Sequence, residues 1–263
     1  MKKTNRHSRA LAWLVPSLLL AGWFGVTRAG WIPGYLLPDP IHITKAGYTY
    51  VFAAADSAPY AGRFLSDAAA SLLRVSLGFV LAVSLGIPLG VLSGRVAACR
   101  QLMSTTINGL RAVPGISWLP LALVWFGIGM RTTVFLVALA AFFPIYLNTA
   151  AGARQVNPLL YQSGAMLGVG RLRGVFDILL PAAMPQIISG LRLGLGISWA
   201  YLVLGELTGV PNGLGAVIMD ARMLGRIDII IVGIIAIAVM GRISDLALNA
   251  ALRFCFKSAR RMA

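Results

Sequence analysis

The chain is 263 residues long, 58% hydrophobic and only 12% charged, with a mean hydropathy of +0.81, which excludes an ordinary water-soluble domain. Its formal charge of +15 is spread singly or in small groups at the ends of apolar runs, so it marks membrane topology and not a nucleic-acid footprint. Cys99 and Cys255 have no ligand-like spacing and are expected to be free thiols.

A membrane-crossing helix needs about 20 mostly apolar residues, because the hydrocarbon core is about 30 Å thick and each helical residue rises about 1.5 Å. Six stretches qualify. After a basic start with Lys2, Lys3, Arg6 and Arg9, the run Leu11 to Val26 has the layout of an uncleaved anchor span. Residues 28–66 hold Pro33, Pro38, Pro40, Pro59, Asp39, Asp56 and several tyrosines, a mixture that predicts an external loop with one short interfacial helix. Leu72 to Val91 is the second span. Its Ser76, Gly78, Ser84, Gly86 and Gly90 are small enough to let another helix approach closely.

Arg95 and Arg100 then predict a short loop. The third span, Ile107 to Phe126, is interrupted by Pro114 and Pro120, and a span can contain proline only where neighbours or water satisfy the freed carbonyls. Pro114 is therefore a candidate for a translocation pathway. Val134 to Ala150 is the fourth span. Gln162 to Pro181 then breaks the apolar pattern with small residues, Arg171, Arg173 and a closing Leu180-Pro181 pair; it reads as a short helix, a turn and a second short helix. Ile187 to Leu207 and Ile229 to Leu248 are the fifth and sixth spans, separated by Pro211-Asn212-Gly213 and a short external helix.

With the N-terminus inside, the internal segments hold Lys2, Lys3, Arg6, Arg9, Arg95, Arg100, Arg154, Arg171, Arg173, Arg253, Lys257, Arg260 and Arg261, against Arg28, Lys45, Arg63, Arg131, Arg222 and Arg226 outside. Basic residues accumulate on the cytoplasmic side of membrane proteins, so both termini and the 155–181 loop are expected in the cytoplasm. Arg74, Arg111, Arg192 and Arg242 fall too near span ends or interiors to assign.

An enzyme needs a converging nucleophile, base or metal-ligand set. His7 and His42 fall on opposite faces of this topology, and no phosphate-cradling Gly-Lys-Ser/Thr loop is present. No catalytic, metal or cofactor site is expected. Glu206 and Asp245 are the acidic residues inside spans, where a charge is costly unless it pairs or faces water. Glu206 either fixes helix packing in a buried ion pair or shapes the external mouth of a pathway. Asp245 is expected to pair locally with Arg242 at i, i+3, and Arg192 to snorkel to the interface. Ser198 and Trp199, about two turns before Glu206, either line a pathway or pack against helices; the other tryptophans, such as Trp125 and Trp118, are interfacial anchors. Asp220 and Arg222 are solvated charges.

The 162–181 stretch resembles the signature loop of permease subunits of bacterial ATP-binding-cassette importers: Glu-Ala-Ala, three residues, Gly, nine residues, Ile, one residue, Leu-Pro. Gln162, Ser163 and Gly164 fall on the Glu-Ala-Ala positions, and Gly168, Ile178, Leu180 and Pro181 match in register. Trp118-Leu-Pro120, Val124-Trp-Phe-Gly-Ile-Gly129, Phe142-Phe-Pro-Ile-Tyr-Leu-Asn148 and Gly205-Glu206 with Asn212-Gly-Leu-Gly215 are similar to permeases for nitrate, alkanesulfonates, taurine and related oxyanions. The likeness covers roughly residues 65–250.

The resemblance implies an all-α membrane protein of the type I importer permease class, with about six transmembrane helices and a cytoplasmic coupling helix. Its parts would be residues 1–66 (tail, first span and external loop), a core permease domain over 67–252, and a basic tail over 253–263. It implies a homodimer in the lipid of a bacterial inner membrane, with ATPase subunits docked at Gln162, Ser163, Gly164, Ala165, Met166, Leu167, Gly168, Leu180 and Pro181. A periplasmic or lipid-anchored substrate-binding protein would dock outside. ATP hydrolysis would belong to the partner subunits. The rival reading, from another class, is a self-contained secondary transporter or channel, which would need no ATPase and often carries inverted repeats.

Overall fold

The structure, a computed structural model, describes residues 6–54 and 57–255. Expectations placed on the side chains of Lys2, Lys3, Arg6, His7, Arg9, Trp13, Asp56, Arg171, Cys255, Lys257, Arg260 and Arg261 fall outside what is described. All regular structure among the described residues is helical: α1 (Arg6–Arg28), α2 (Pro40–Phe52), α3 (Phe64–Arg95), α4 (Ala97–Ala112), a 3-10 turn (Gly115–Trp118), α5 (Leu119–Phe126), α6 (Met130–Gln155), α7 (Pro158–Met166), the single turn α8 (Arg171–Gly174), a π turn (Val175–Leu179), α9 (Leu180–Glu206), α10 (Leu214–Met223) and α11 (Ile227–Cys255). Four helices, Phe64–Arg95, Met130–Gln155, Leu172–Glu206 and Ile227–Phe254, are each long and apolar enough to cross a membrane.

Two expected spans differ from the sequence reading. The third is two pieces, Ala97–Ala112 and Gly115–Phe126, bent by 90°. The break falls at Pro114 alone; Pro120 lies in the first turn of α5, where its missing N–H has no helical acceptor to lose. The helix also starts ten residues earlier than Ile107, so Val96 alone joins α3 to α4 and Arg100 is helical. The fifth span begins near Leu172 and not at Ile187. Leu180-Pro181 does not end a helix, because the π turn Val175–Leu179 precedes it and Pro181 occupies the opening turn of α9. Of the first span, the described apolar portion is Leu14–Arg28.

The chain divides into two compact units. The first comprises the described residues up to Leu65 with Val217–Ala236. In it, Asp39 caps α2 by accepting from the Ile41 N–H at 3.1 Å, and Pro40 sits in the first turn. Ile43 and Tyr50 of α2 are buried with Tyr60, Val217, Ala221, Ile229 and Val232. Arg226 and Asp228 form an ion pair of 2.8 Å. The 28–66 segment thus contains one short helix, α2, packed on an apolar cluster. Asp220 and Arg222 are exposed, as expected of solvated charges.

The second unit, Ser66–Ala216 with the described residues from Ile237 onward, is built on α6. Glycines of α3 meet one face of it: a Cβ at Gly86, Gly90 or Gly94 would lie 2.9 Å from Ile145 Cγ2, 2.7 Å from Thr149 Cβ or 2.6 Å from Ala153 Cβ. Glycines of α9 meet another, where a Cβ at Gly190 would lie 2.8 Å from Asn148 Cβ and one at Gly194 3.0 Å from Ile145 Cγ1. In a bilayer, lipid tails solvate apolar side chains as well as other helices do, so close backbone packing by small residues is what holds spans together. Four-residue spacing puts Gly86, Gly90 and Gly94 on one α3 stripe. The Tyr146 hydroxyl donates to Ser93 Oγ at 2.8 Å across the same seam. Asp245 of α11 accepts from Arg242 at 3.2 Å as expected, but also from Arg192 Nε at 3.1 Å. Arg192 therefore does not simply snorkel; it ties α9 to α11.

Candidate functional site

Three places carry the expected site residues. The first is the loop around α7. Asn157 accepts from the Leu159 N–H at 2.9 Å and Pro158 opens the helix, a sharp start. The stop is equally defined. The Val169 N–H donates to Gly164 O and the Gly168 N–H to Ala165 O, both at 3.0 Å, with Gly168 at φ +80°. This is a Schellman ending, and its left-handed residue is the reason the motif has glycine at 168. Gly164 is buried under the Cδ1 of Ile178, where a Cβ would require that methyl to move. Two altered or matched motif positions are thus one packing pair: the glycine at 164 makes room for Ile178.

Gln162, Ser163, Ala165 and Pro181 are exposed and Leu180 is half-buried. Met166 and Leu167 are 87% and 83% exposed, and Leu172 is 81% exposed. These exposed apolar side chains are not covered by any of the described residues, and their burial would contribute about 25 cal/mol per Å². Beneath α7, the Arg95 guanidinium at the end of α3 lies 3.8 Å above the Tyr161 ring. The buried Tyr161 hydroxyl has no partner among the described residues. Burial pushes its phenol above the ordinary tyrosine range, and the Arg95 charge acts against that shift.

The second place is the far end of α9. Glu206 is fully buried. It accepts from Arg74 Nη1 at 2.7 Å, from Ser71 Oγ at 2.8 Å and from the Gly215 N–H at 2.8 Å. Arg74 also donates to the carbonyl and the side-chain oxygen of Asn212 at 2.7 and 2.6 Å. Ser71 Oγ accepts from the Leu214 N–H at 2.9 Å, and Asp67 from the Gly213 N–H at 3.1 Å. The cluster thus ties α3, the end of α9 and the 207–213 turn. It contains the buried ion pair named in the first of the two alternatives for Glu206. Asp67 and Ser71 escaped the sequence reading because the second span was started at Leu72, and Arg74, named but left unassigned to either side, was not linked to them; their i, i+4, i+7 spacing, one polar stripe on an apolar helix, was the available signal.

The remaining pathway candidates do not join Glu206. The Ser198 hydroxyl donates to Gly194 O of its own helix at 2.8 Å. Trp199 is buried and rests against Gly241, whose Cβ would sit 3.7 Å from the indole. Pro114 is exposed and lies at a third place, a cavity of about 330 Å³ at the bend between α4 and α5. Among the described residues no three His, Cys, Asp or Glu side chains gather as metal ligands.

Residues 86–253 match the family described as binding-protein-dependent transport system inner membrane component. The chain is 32% identical over 259 residues to the taurine transport system permease protein TauC of Escherichia coli (strain K12), covering 94% of this chain and 93% of that one. It is 33% identical over 232 residues to a Bacillus subtilis (strain 168) permease protein named SsuC for aliphatic sulfonates transport, covering 88% and 81%. It is 35% identical over 176 residues to the nitrate import permease protein NrtB of a Synechocystis strain, covering 67% and 64%. A solved structure of the MetNI methionine ABC transporter in an inward-facing conformation superposes with a TM-score of 0.57 at 18% identity, covering 71% of this chain and 94% of that one; at that identity the likeness speaks for the fold. With a multi-pass helical membrane fold and the matched region reaching from α3 to α11, the chain belongs to the binding-protein-dependent transport system inner membrane component family, the permease component of ATP-binding-cassette importers.

Proposed function

We propose that this chain works as a homodimer in a bacterial inner membrane, with both termini cytoplasmic, and imports a small oxyanion such as nitrate, a sulfonate or taurine. ATP hydrolysis takes place in separate subunits that seat on α7 and the turn after it, and a substrate-binding protein delivers the solute on the opposite face. The observation that carries this reading is the α7 loop. It is sharply capped at both ends, exposes Met166, Leu167 and Leu172 to water, and continues into a helix that reaches Glu206. A docked ATPase buries those side chains, and its movement is passed along α9 as the displacement of a packed unit. The names of the relatives support the solute class. The excess of basic residues around α7 and the termini supports the orientation.

Glu206 in this reading holds the external ends of α3 and α9 in register while the α7 end is pushed. ATP-dependent uptake of nitrate, taurine and ethanesulfonate into vesicles reconstituted with the ATPase and binding protein from the same source is the direct test. Uptake of at least one that requires ATP and both partners is expected. Uptake without ATP would replace the reading with that of a self-contained transporter.

A further inference from the structure

Two groups of arginines in this molecule contrast. Arg74, Arg192, Arg226 and Arg242 each have a carboxylate within 2.7 to 3.2 Å. Arg100, Arg111 and Arg154 have no ion pair among the described residues, and all three line cavities. Arg111 opens onto the cavity of about 330 Å³ at the Pro114 bend, together with Trp118 of the 3-10 turn, Pro144 of α6 and Tyr201 of α9. Arg100 and Arg154 line a second cavity of about 280 Å³ with Ser104, Asn108 and Tyr146. Leu147 borders both cavities, so they adjoin along α6. No acidic side chain lines either one.

The sequence of α4 makes this a track. Arg100, Ser104, Asn108 and Arg111 follow one another at four-, four- and three-residue steps, which keeps them on one face of the helix. From first to last the helix rises about 16 Å, from its first turn to the bend. Arg154 lies in the last turn of α6, beside the α4 start in the second cavity. The Tyr201 hydroxyl and the Trp118 indole N–H have no hydrogen-bond partner among the described residues, adding two neutral donors at the bend. A guanidinium inside a membrane protein is costly unless it meets water or an opposite charge. Arg111 and Arg154 are exposed and Arg100 is half-buried; none of the three meets a carboxylate among the described residues, and the polar groups that line the two cavities with them, among apolar side chains, are hydroxyls, an amide and an indole N–H, which can all turn a donor to an anion.

We propose that this α4 face is the conducting wall for the anionic group of the transported solute: Arg111, Tyr201 and Trp118 receive it at the bend, and Asn108, Ser104, Arg100 and Arg154 pass it to the end of α6. This deepens the proposed function and rests on it. The ligand is a small oxyanion headgroup, because planar guanidinium groups with flanking donors match the oxygens of nitrate or a sulfonate. Hydroxyls and an amide between the cations keep each station weak enough to release, as conduction requires.

The test uses the complete complex, with ATPase and binding protein, in vesicles supplied with ATP and ethanesulfonate, taurine or nitrate. Arg111→Gln is expected to lower uptake about tenfold, the scale of losing one charge-assisted hydrogen bond to the moving ion, in a complex that still assembles. Arg111→Lys should retain most of it, and the double variant Arg100→Gln with Arg154→Gln should repeat the loss independently. Wild-type uptake in Arg111→Gln or in the double variant overturns the proposal, as does a loss in Arg111→Gln that Arg111→Lys does not rescue. Should the wild-type complex move none of the three solutes, the proposed function falls and the conducting wall with it; should the wild type transport while the arginine variants match it, the wall alone is overturned.

Discussion

The two ends of α9 solve opposite problems. At Glu206 the charges are turned inward and hydrogen-bonded: two carboxylates, a guanidinium, a hydroxyl and three backbone N–H groups close on one another with Glu206 wholly excluded from solvent. At the α7 end the apolar side chains are turned outward and unmatched, Met166 and Leu167 most of all. One end is finished by the chain itself; the other is not finished among the described residues. A residue's chemical type alone therefore says little about whether a site is structural or docking, whereas whether its chemistry is satisfied within the chain says a great deal.

The contrast can be broken at its strongest point first. Glu206→Ala leaves Arg74 buried and unpaired, and the expected loss is about 3–5 kcal/mol of stability, read as a fall in the thermal midpoint of the detergent-purified protein. Combining Arg74→Met with Glu206→Leu should recover most of it, since an apolar pair of similar volume avoids desolvating charge. A recovered fold that no longer transports would assign Glu206 to gating; recovered transport would confine it to packing.

Next comes the seam on which both ends depend. Gly90→Leu drives a side chain into Thr149 and the Tyr146 carbonyl, where even a Cβ would sit 2.7 Å from Thr149 Cβ; the expected cost is about 1–3 kcal/mol. A variant as stable as wild type would show that α3 and α6 can separate without penalty.

A smaller effect is expected at the α7 end. Arg95→Gln removes the cation over Tyr161 and should cost about 0.5–1 kcal/mol. It also moves the Tyr161 titration. Burial favours the neutral phenol, so that part of the stability is complete below pH 10.0, the ordinary tyrosine value, and is lost as pH rises through the raised value. Because Arg95 opposes the shift, its removal carries the loss to still higher pH, measurable as the tyrosinate absorbance difference between the protein and its Tyr161→Phe variant. A titration moving downward would reverse the assignment.

Least of all in stability, and most in assembly, is Leu167→Glu. On a fully solvated side chain the change should stay within about 0.5 kcal/mol, yet abolish copurification with the ATPase. Retained copurification would remove α7 as the docking helix.

Spans were legible wherever apolar length alone decides, as in α3, α6 and α11. The glycine run of α3 also announced its close neighbour, because small residues at four-residue spacing have one packing use in a membrane. Gly168 was legible as a signature position, though its left-handed ending needs the backbone to be seen. What stayed hidden was relational. The Glu206 carboxylate finds its guanidinium 132 residues away, and no local pattern links Arg192 to Asp245, 53 residues apart. Leu180-Pro181 read as a helix end because proline lacks an N–H and crowds the preceding turn; the π turn before it supplies the room that an α turn would not.

That π turn has a consequence for variation in length. A π turn carries one residue more than the α turn it replaces, and one residue of helix is about 100° of rotation. Deleting Phe176 or Asp177, the exposed residues of that turn, would therefore leave α9 and the Glu206 network in place while swinging Met166 and Leu167 to a different side of the helix axis. Length changes between Gly168 and Pro181 act on the phase of the exposed α7 surface more than on its reach, so the nine-residue spacing from Gly168 to Ile178 fixes an orientation and cannot be treated as a flexible tether.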